Sequence, residues 1–504
     1  MGEHDDERYG GTRENDWAAG NAVAQAIHHG KPPKKPPADK GKTATRTPTK
    51  TTRGLYVEKD GCICRNREGE PVSLCNFVAR IVEQVIHDNG EVQEMTLALE
   101  GRLNTGQALP RIDVTAASFA GLAWVTQQWG CGAIIYAGTA TKDHLRVALQ
   151  ELSGEVPRRT VYSHVGWRQF NGQWRYLHAG GALGADGNRV DVEVHPGAGH
   201  MRHYRLPDPP EGAALHAAVS ASLALADIAP HKPEVGALLL ACIYRAPLAT
   251  VALIDHAAFL VGFTGARKSE AAAMALAHFG QGFTARTFPA GWADTGSALE
   301  VKAHAAKDAI IVVDDFKPTG SKKDVDDLHK KAEGLFRGAG NQNGRGRLSA
   351  TLKQRTAYHP RGLVLATGED IPKGQSLRAR ITVASLSRNA NDPQKGDIDL
   401  ERLSVLQRHA GDGSLAQAMA GYLRWLAPQM GHLADHLPEA IRDLRDQANR
   451  TGMQGHSRTP SDFASLVMGI TYLARFAEAC GALDAVQATA FQERATAALR
   501  GLLE

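Results

Sequence analysis

The sequence predicts a mixed α/β protein: a parallel sheet with helices on both faces, preceded by an α+β region and followed by a helical region. Three observations lead to this prediction. Strand and helix patterns alternate over residues 250–390, which is typical of a parallel sheet. Short strand patterns separated by turn residues fill residues 54–210. Helical periodicity without strand patterns fills residues 391–504.

The composition is that of an ordinary globular protein. The 504 residues are 43% hydrophobic and 22% charged, enough for a sizeable core, and the net charge is only +4. The net charge of the whole chain therefore does not indicate nucleic-acid binding. Only local clusters of basic residues could indicate it. The N-terminus lacks the apolar core of a signal peptide, and no run of about 18 apolar residues occurs. We therefore expect a cytoplasmic protein without membrane contact.

The six cysteines are scattered, which argues against a disulfide framework. Cys62, Cys64 and Cys75 could belong to a zinc site, but no fourth ligand follows at finger spacing. We expect them to be reduced cysteines on strands.

Residues 1–53 are predicted to be a disordered basic tail. Between Lys31 and Arg53 there are eight Lys or Arg residues against one Asp, and prolines recur. Such a segment cannot offset the entropy of ordering by burying apolar surface. Two roles fit this tail: contact with nucleic acid, or a solubilising linker.

Residues 54–210 are predicted to form an α+β domain. The predicted strands are Leu55–Val57, Met95–Leu99, Ile112–Val114, Ala133–Tyr136 and Val161–His164. The predicted helices are Asn76–His87 and Ala116–Trp129. Aromatic residues concentrate at 166–168 and 174–178. They could stack on single-stranded bases, or they could anchor a small core, which is the interpretation we favour.

The remaining flanking segments are predicted to be helical. Residues 211–249 are rich in Ala and Leu at helical spacing and are expected to connect two domains. In residues 391–504 one helix start is well marked, with Thr459 as the N-cap, Pro460 in the first turn and Asp462 shortly after.

The segment most informative about function is a glycine loop between a strand and a helix. The strand leads into Gly262-Phe263-Thr264-Gly265-Ala266-Arg267-Lys268-Ser269, and a helix is predicted from Ser269 to His278. Glycines allow a tight loop whose N–H groups converge with the helix N-terminus on an anion. The segment therefore predicts a P-loop. Residues 250–390, which contain it, are predicted to form an ATPase domain. Lys268 is expected to reach the β- and γ-phosphates of ATP, and Ser269 to bind Mg²⁺.

The glycine loop departs from the P-loop pattern Gly-x4-Gly-Lys-Ser/Thr at one position. Gly262 is in place, but Arg267 stands where the second glycine belongs. Gly265, two residues earlier, is a candidate to take over the turn.

A downstream strand pattern ends in two carboxylates. Ala309 to Val313 is followed by Asp314 and Asp315, and Asp314 lies 46 residues after Lys268 (314 − 268). Asp314 is predicted to hold Mg²⁺ through water, and Asp315 to orient or deprotonate the attacking water. The alternative is an exposed acidic turn after a core strand.

A second downstream strand pattern, Gly362 to Ala366, ends in polar residues. Thr367 is the predicted sensor of the γ-phosphate and Glu369 the second candidate, while an ordinary polar turn is the alternative. Arg378 and Arg380 follow. They are predicted to act as arginine fingers on the ATP of a neighbouring subunit, or else are ordinary surface arginines.

The stretch from Arg337 to Arg361 contains six basic residues and no acid, interrupted by glycines and asparagines. A flexible backbone with interspersed basic side chains suits a loop that follows phosphates without reading bases. We predict a DNA-binding loop, and contact with an acidic neighbouring subunit is the alternative. The predicted DNA contacts are Arg337, Arg345, Arg347, Lys353 and Arg355.

These residues resemble the ATPase domain of the domain-of-unknown-function 927 group. The resemblance rests on the Gly262–Ser269 loop, the Asp314-Asp315 strand and Thr367-Gly368-Glu369. Gly166-Trp167 and residues 176–181 resemble the group's upstream domain, so the resemblance covers about residues 55–420. The group comprises helicase-like ATPases of plasmids, phages and integrative elements, often linked to primases, and it also tends to lack the second loop glycine.

The resemblance implies superfamily-three or AAA+-like features and a homo-oligomeric, hexameric ring on DNA. No primase site is apparent, so a primase or polymerase would be a separate partner. We therefore predict an ATP- and Mg²⁺-dependent DNA helicase or translocase for replication of a mobile element. Three alternatives remain: an ATP-driven switch or assembly factor that does not move on DNA, an ATP-binding protein without hydrolysis, and a non-enzymatic nucleic-acid binder.

Overall fold

The computed structural model describes residues 54–342, 344, 347–348, 354–355, 357–388 and 396–504. The predicted basic tail, residues 1–53, lies outside the described residues. Within the described ranges, no helix combines the length and the apolar character needed to cross a membrane.

The strands, numbered along the described chain, are β1 Tyr56–Lys59, β2 Cys62–Arg67, β3 Glu70–Ser73, β4 Phe77–Asp88, β5 Gln93–Leu103, β6 Ala108–Thr115, β7 Arg158–Tyr162, β8 Gly166–Phe170, β9 Gln173–His178, β10 Gly181–Gly184, β11 Gly187–Arg189, β12 Glu193–Val194, β13 Ala257–Val261, β14 Ala290–Gly291, β15 Ile310–Phe316, β16 Arg347–Leu348, β17 Gln354–Arg355, β18 Leu363–Gly368 and β19 Ile381–Ser385.

The α-helices are α1 Ala116–Phe119, α2 Ala123–Trp129, α3 Thr141–Ser153, α4 Gly212–Leu223, α5 Pro233–Arg245, α6 Lys268–Leu276, α7 Gly296–Ala305, α8 Lys322–Asn341, α9 Gln375–Arg378, α10 Leu400–Gly411, α11 Ser414–Leu426, α12 Met430–Arg450, α13 Thr459–Ala479 and α14 Ala485–Leu503. Short 3-10 turns are Gly199–His203, Ala224–Asp227, Ala246–Leu248, Ala277–Phe279 and Ala427–Gln429.

The N-terminal part of the described chain is built on a mixed five-stranded sheet of order β12-β7-β4-β5-β6, beside the antiparallel sheets β1-β2-β3 and β11-β10-β9-β8. The helix predicted over Asn76–His87 is wrong, because this segment is the strand β4. It pairs with β5 on one side and β7 on the other. Burial alternates through Phe77, Ala79 and Ile81, and pairing along both edges outweighs the helical spacing of its apolar residues.

The other predictions in this region match the structure to different degrees. The strands predicted at 55–57, 95–99, 112–114 and 161–164 fall on or next to β1, β5, β6 and β7. The segment predicted as a strand at 133–136 forms only a single bridge, between Cys75 and Ile135. The helix predicted over 116–129 is two helices, because Leu122 has a left-handed backbone (φ 55°) that separates α1 from α2.

A parallel five-stranded sheet of order β14-β15-β18-β13-β19 lies at the centre of the following region. Counted along the chain, this order is 2-3-4-1-5, so the first strand lies between the fourth and the fifth. The loops that follow β13, β15 and β18 therefore leave the same edge of the sheet on adjacent strands. A mixed α/β fold with a parallel sheet and a helical C-terminal region is confirmed.

One large hydrophobic core joins the parallel sheet, the C-terminal helices and the aromatic strands at the end of the N-terminal region, from Val165 to Leu499. A separate core surrounds β4, β5 and β6. The predicted domain boundaries stay a prediction. Trp167 and Tyr176 are almost fully buried, and the Trp167 indole donates to Pro247 O at 2.7 Å. These two aromatic residues are core residues and offer no surface for bases, but they belong to the large core and not to a small core of the N-terminal region.

The C-terminal helices include α13, whose start differs slightly from the prediction. Arg458 occupies the N-cap position and Thr459 is the first helical residue. Asp462 in the first turn is only 4% exposed, and its Oδ1 has no hydrogen-bond partner within the described residues. Burial raises the pKa of Asp462 to about 8, the nearby Asp255 adds to this rise, and Arg458 opposes it.

We expect Asp462→Asn to stabilise the protein at alkaline pH. A carboxyl whose pKa is raised by folding contributes stability below its unfolded value of 3.8, and this stability is lost as pH rises towards about 8. The advantage of the variant should therefore grow by up to about 1.4 kcal/mol per pH unit across this window. Denaturant unfolding at about pH 5 and about pH 8 measures it. Asp435→Asn, at an exposed position of α12, is the control and should show no such trend.

Candidate functional site

The glycine loop begins where β13 ends, between two neighbouring strands. The Gly262 N–H donates to Gly368 O at 3.1 Å, so the loop leaves the sheet against the end of β18. On the other side, a Cβ at Gly262 would lie 2.0 Å from Leu386 O. This approach excludes any side chain at residue 262, which explains the glycine without reference to a ligand.

Two residues of the loop have left-handed backbone angles. Gly265 has φ 88° and Arg267 has φ 63°. The expectation that Gly265 takes over the turn holds in part, because residue 267 still adopts the conformation that a glycine favours. Arg267 directly precedes α6 as its N-cap, without a capping hydrogen bond from its side chain. The arginine at this position therefore carries a conformational cost of about 1–2 kcal/mol.

Arg267→Gly is expected to stabilise the chain by about 1 kcal/mol, because glycine adopts φ 63° without the clash of a Cβ. Arg267→Ala removes the same long side chain and keeps the Cβ, so it is the matched control. Urea unfolding of the three proteins measures the difference. A glycine variant no more stable than the alanine variant would mean that the backbone at residue 267 is unstrained.

Asp314 is the meeting point of the loop and the two downstream strands. Its Oδ1 accepts hydrogen bonds from Ser269 Oγ at 2.8 Å and from Thr367 Oγ1 at 2.6 Å. The Asp315 N–H donates in turn to Thr367 Oγ1 at 3.1 Å. Residues far apart in the sequence therefore form one network at the carboxyl edge of the sheet.

The two aspartates occupy a β-bulge at the end of β15. The pairing with β18 shifts between Val313 and Phe316, so that Asp314 and Asp315 stand opposite the single residue Thr367. Asp315 has φ 67° and is exposed. A bulge re-aims a side chain relative to regular pairing. Asp314 thereby faces the network while Asp315 faces solvent.

Lys268 lies at the start of α6 and is 9% exposed. Its Nζ donates to Phe263 O, inside the loop, at 3.1 Å. Burial lowers the pKa of Lys268, although the carboxylates of Glu369, Asp314 and Asp315 oppose this change by attracting its charge. The ammonium group of Lys268 is thus within electrostatic range of each of the three carboxylates.

Glu369 follows β18 and bridges the loop to a residue that the sequence did not indicate. It accepts a hydrogen bond from Thr264 Oγ1, and Lys317 Nζ lies 3.0 Å from its Oε1. The hydrogen bond from Thr264 and then Lys317 lower the pKa of Glu369. Lys317, two residues after the aspartates, is therefore a further candidate for contact with an anionic ligand.

Arg388 is a second candidate that the sequence did not indicate. A Cβ at Gly265 would lie 3.3 Å from Arg388 Nη1, so this exposed guanidinium reaches the tip of the loop. Arg388 follows β19, the last strand of the sheet, and was not among the predicted site residues.

The two predicted arginine fingers lie near the opposite edge of the sheet. The Ala257 N–H, at the start of β13, donates to Arg380 O at 2.9 Å. The Arg380 side chain is half-buried and donates to Asn341 Oδ1 at 3.0 Å, while Arg378 is exposed at the end of α9. Because the loop leaves the other end of β13, these arginines cannot serve the site of their own chain. A role towards a neighbouring subunit stays a prediction.

The predicted DNA-binding loop is smaller than expected. Arg337 lies within α8, where its side chain is 53% exposed and pairs with Glu333 at 2.8 Å. The ribbon of β16 and β17 places Arg347 opposite Arg355 in register. Arg345 and Lys353 lie outside the described residues.

Arg361, counted in the basic stretch, is buried and donates to the backbone oxygens of His304 and Asn89. The predicted extent of the loop is therefore wrong at both ends. Arg337 belongs to a helix, and Arg361 is held by hydrogen bonds to neighbouring segments.

A cleft with a volume of about 750 Å³ lies beside the bulge. Asp314, Asp315 and Lys317 line this cleft together with Trp292 and Asp294, and the Trp292 N–H donates to Asp314 O at 3.1 Å. Lys268 and Ser269 lie outside the lining of the cleft. The two aspartates therefore stand between the glycine loop and an open space large enough for a small ligand or an incoming side chain.

Comparison with known proteins leaves the family open. No family profile matches the sequence, and neither does any curated protein. The resemblance to the domain-of-unknown-function 927 group therefore stays a prediction.

Two solved structures are similar in outline. The SCCmec type IV Cch protein, described as an active helicase, has 14% identity and a TM-score of 0.45, with 84% of this chain and 74% of that chain covered. The C-terminal region of NrS-1, in an apo form, has 8% identity and a TM-score of 0.32, with 78% of this chain and 86% of that chain covered. Similarity at this level does not assign a function to this chain, and the residues of the site must do so.

Proposed function

We propose that this protein is a P-loop ATPase that couples ATP hydrolysis to movement on DNA during replication of a mobile element. The observation that carries the ATPase part is the convergence on Asp314 Oδ1 of the hydroxyls of Ser269 and Thr367, at 2.8 Å and 2.6 Å. The 2-3-4-1-5 order of the parallel sheet supports it, because this order brings the three loops to one edge.

The residues present fit ATP and Mg²⁺. The Gly262–Ser269 loop leads into the N-terminus of α6, where backbone N–H groups favour phosphate. Lys268 Nζ donates to a loop carbonyl, so its ammonium group already points into the loop that would surround the phosphates. The hydroxyl of Ser269 and the carboxylate of Asp314 are oxygen ligands of the kind that Mg²⁺ prefers.

The division of labour between the polar residues follows from their positions. When bound, Mg²⁺ would neutralise charge on the transferring phosphoryl group. Asp314 would hold the ion, while the exposed carboxylate of Asp315 would orient or deprotonate the attacking water. Thr367, hydrogen-bonded to Asp314, would sense the γ-phosphate, and Glu369 would link Thr264 of the loop to Lys317.

The DNA part of the proposal rests on the basic ribbon between β15 and β18. Arg347 and Arg355 stand at one register position of β16 and β17, close along the chain to Arg345 and Lys353. Basic residues on a ribbon suit contact with the phosphate backbone. In a homo-oligomer, a ring of six in this proposal, Arg378 or Arg380 would complete the ATP site of the next subunit, and a primase or polymerase would be a separate chain.

The experiment that tests the proposal measures phosphate release at low salt with and without single-stranded DNA. The expected result is steady hydrolysis that DNA stimulates several-fold and that Arg347→Ala/Arg355→Ala makes insensitive to DNA. Hydrolysis without any response to DNA would favour the switch or assembly factor. Binding of ATP without phosphate release would point to a non-hydrolysing protein. Electron microscopy with a slowly hydrolysed ATP analogue and forked DNA would then show whether a ring encloses a strand.

A further inference from the structure

A second polar cluster lies away from the glycine loop, where three distant segments meet. Glu91 lies in the turn between β4 and β5, His304 near the end of α7, and His359 in the segment that leads into β18. One potential ligand atom of each residue lies within 4.8 Å of the other two. Two imidazoles and a carboxylate at such separations are a donor set for a divalent transition metal.

The orientation of His304 is the observation that distinguishes this cluster from an ordinary group of polar residues. Its Nδ1 faces His359 O at 3.1 Å, and because a carbonyl only accepts, Nδ1 carries the proton. The opposite nitrogen, Nε2, is buried without a hydrogen-bond partner within the described residues. The side chain is only 3% exposed. Leaving a buried nitrogen without a partner is unfavourable, and a backbone carbonyl that orients the ring is typical of metal-binding histidines.

Glu91 presents one carboxylate oxygen to His304 and the other to an arginine. Its Oε2 lies 3.8 Å from His304 Nε2, while Oε1 lies 3.6 Å from Arg361 Nη1. Arg361 is itself held by hydrogen bonds from Nε to His304 O and from Nη2 to Asn89 O. The arginine therefore orients one oxygen of Glu91 and leaves the other available, which is how outer partners position a ligating carboxylate.

We propose that Glu91, His304 and His359 bind a divalent transition-metal ion of the zinc type. Ligand bonds of about 2.0–2.2 Å require the donor atoms to approach within about 3.5 Å of one another. This closure would require Glu91, which lies in an exposed turn, and the half-buried ring of His359 to rotate towards the buried His304. A cleft of about 220 Å³, lined in part by His304, reaches the cluster and offers a route for the ion.

The bound ion would be a structural link. His359 follows β17 by only four residues (359 − 355), so the ion would tie the base of the basic ribbon to α7 and to the N-terminal sheet. It would thereby limit the orientations of the ribbon that we propose to contact DNA. The site shares no residue with the glycine loop, so it is independent of the proposed ATP hydrolysis.

The test first requires removal of a pair of surface histidines that could bind the same metal ion. His432 and His436 are one turn apart on α12, exposed, with ring centroids 3.9 Å apart, and such a pair can bind Zn²⁺ by itself. The reference protein is therefore full-length His432→Ala/His436→Ala. Equilibrium dialysis against buffered Zn²⁺ with metal analysis, and absorption spectra with Co²⁺, measure occupancy. We expect about one tightly bound ion per chain and a higher melting temperature with Zn²⁺.

Three substitutions in the reference protein decide the result. Glu91→Gln should weaken Zn²⁺ binding by about 10–100-fold without disturbing folding, because residue 91 is exposed, and His304→Ala should abolish it. His87→Ala is the matched control, since His87 lines the same cleft outside the cluster and bonds to Thr96. Unchanged affinity in Glu91→Gln, or an equal loss in His87→Ala, would overturn the proposal.

Discussion

Lys268→Ala is expected to lower the rate of ATP hydrolysis at least about 10³-fold. The ammonium group is the cation that the structure holds inside the glycine loop, donating to Phe263 O at 3.1 Å. In the proposed complex it would exchange this carbonyl for phosphate oxygens, whose charge rises during transfer. Removing a preorganised charged donor from such a place is among the most costly single changes in a phosphoryl-transfer site. Phosphate release in single-turnover and steady-state assays measures the effect.

Lys232→Ala is the matched control for this substitution. Lys232 Nζ also donates to a backbone carbonyl, Ser385 O at 3.0 Å, and pairs with Asp397 at 3.0 Å, but it takes no part in the network around Asp314. Removing the Lys232 side chain should leave the rate of ATP hydrolysis within about twofold of that of the unmodified protein. Equal rates in Lys268→Ala and the unmodified protein would remove the ATPase assignment altogether.

Asp315→Asn is expected to lower the rate of the chemical step by about 10²–10⁴-fold while ATP affinity changes little. The bulge turns this carboxylate outward, where it is proposed to orient or deprotonate the attacking water. The neutral amide of the variant cannot accept the proton of this water. Asp314→Asn should instead raise the Mg²⁺ concentration needed for half-maximal rate at least about tenfold, because its proposed part is with the ion. Fluorescent ATP binding together with Mg²⁺ titrations of the rate separates the two effects.

Asp294→Asn is the control for both aspartates. Asp294 lines the same cleft, but its carboxylate is engaged by Lys302 Nζ at 2.8 Å and by the Gly291 N–H at 3.2 Å. Its substitution should leave the Mg²⁺ requirement unchanged. If Asp294→Asn shifted the Mg²⁺ requirement as much as Asp314→Asn, the metal role would have to be assigned to the cleft rather than to the bulge.

The parts of the candidate site that the sequence predicted are local patterns at the ends of strands. Gly262, Asp314 and Thr367 each follow a short buried run of a strand, which leads into a glycine loop in the first case and into polar residues in the other two. Carboxyl ends of parallel strands share an edge, so their convergence follows once the strands are assigned. The left-handed backbone of Arg267 was not predictable, because only the folded loop shows which residue takes the positive φ.

Other features depend on partners that no local pattern contains. Phe77 to Asp88 is a strand because two neighbours pair with it, although its spacing suits a helix equally well. The Arg361 side chain is held by hydrogen bonds to the backbone oxygens of His304 and Asn89, so its charge alone placed it wrongly in a DNA-binding loop.

The sequence by itself determined the parallel α/β region, the glycine loop and the polar residues that end its strands, since these depend on periodicity and spacing within a few dozen residues. Only the tertiary structure decided that Ser269 and Thr367 share one oxygen of Asp314, and that Glu91 approaches His304 from 213 positions away (304 − 91). The physical reason is that hydrogen bonds and metal ligation act over a few ångströms in space, whereas periodicity reports only which face of an element is buried.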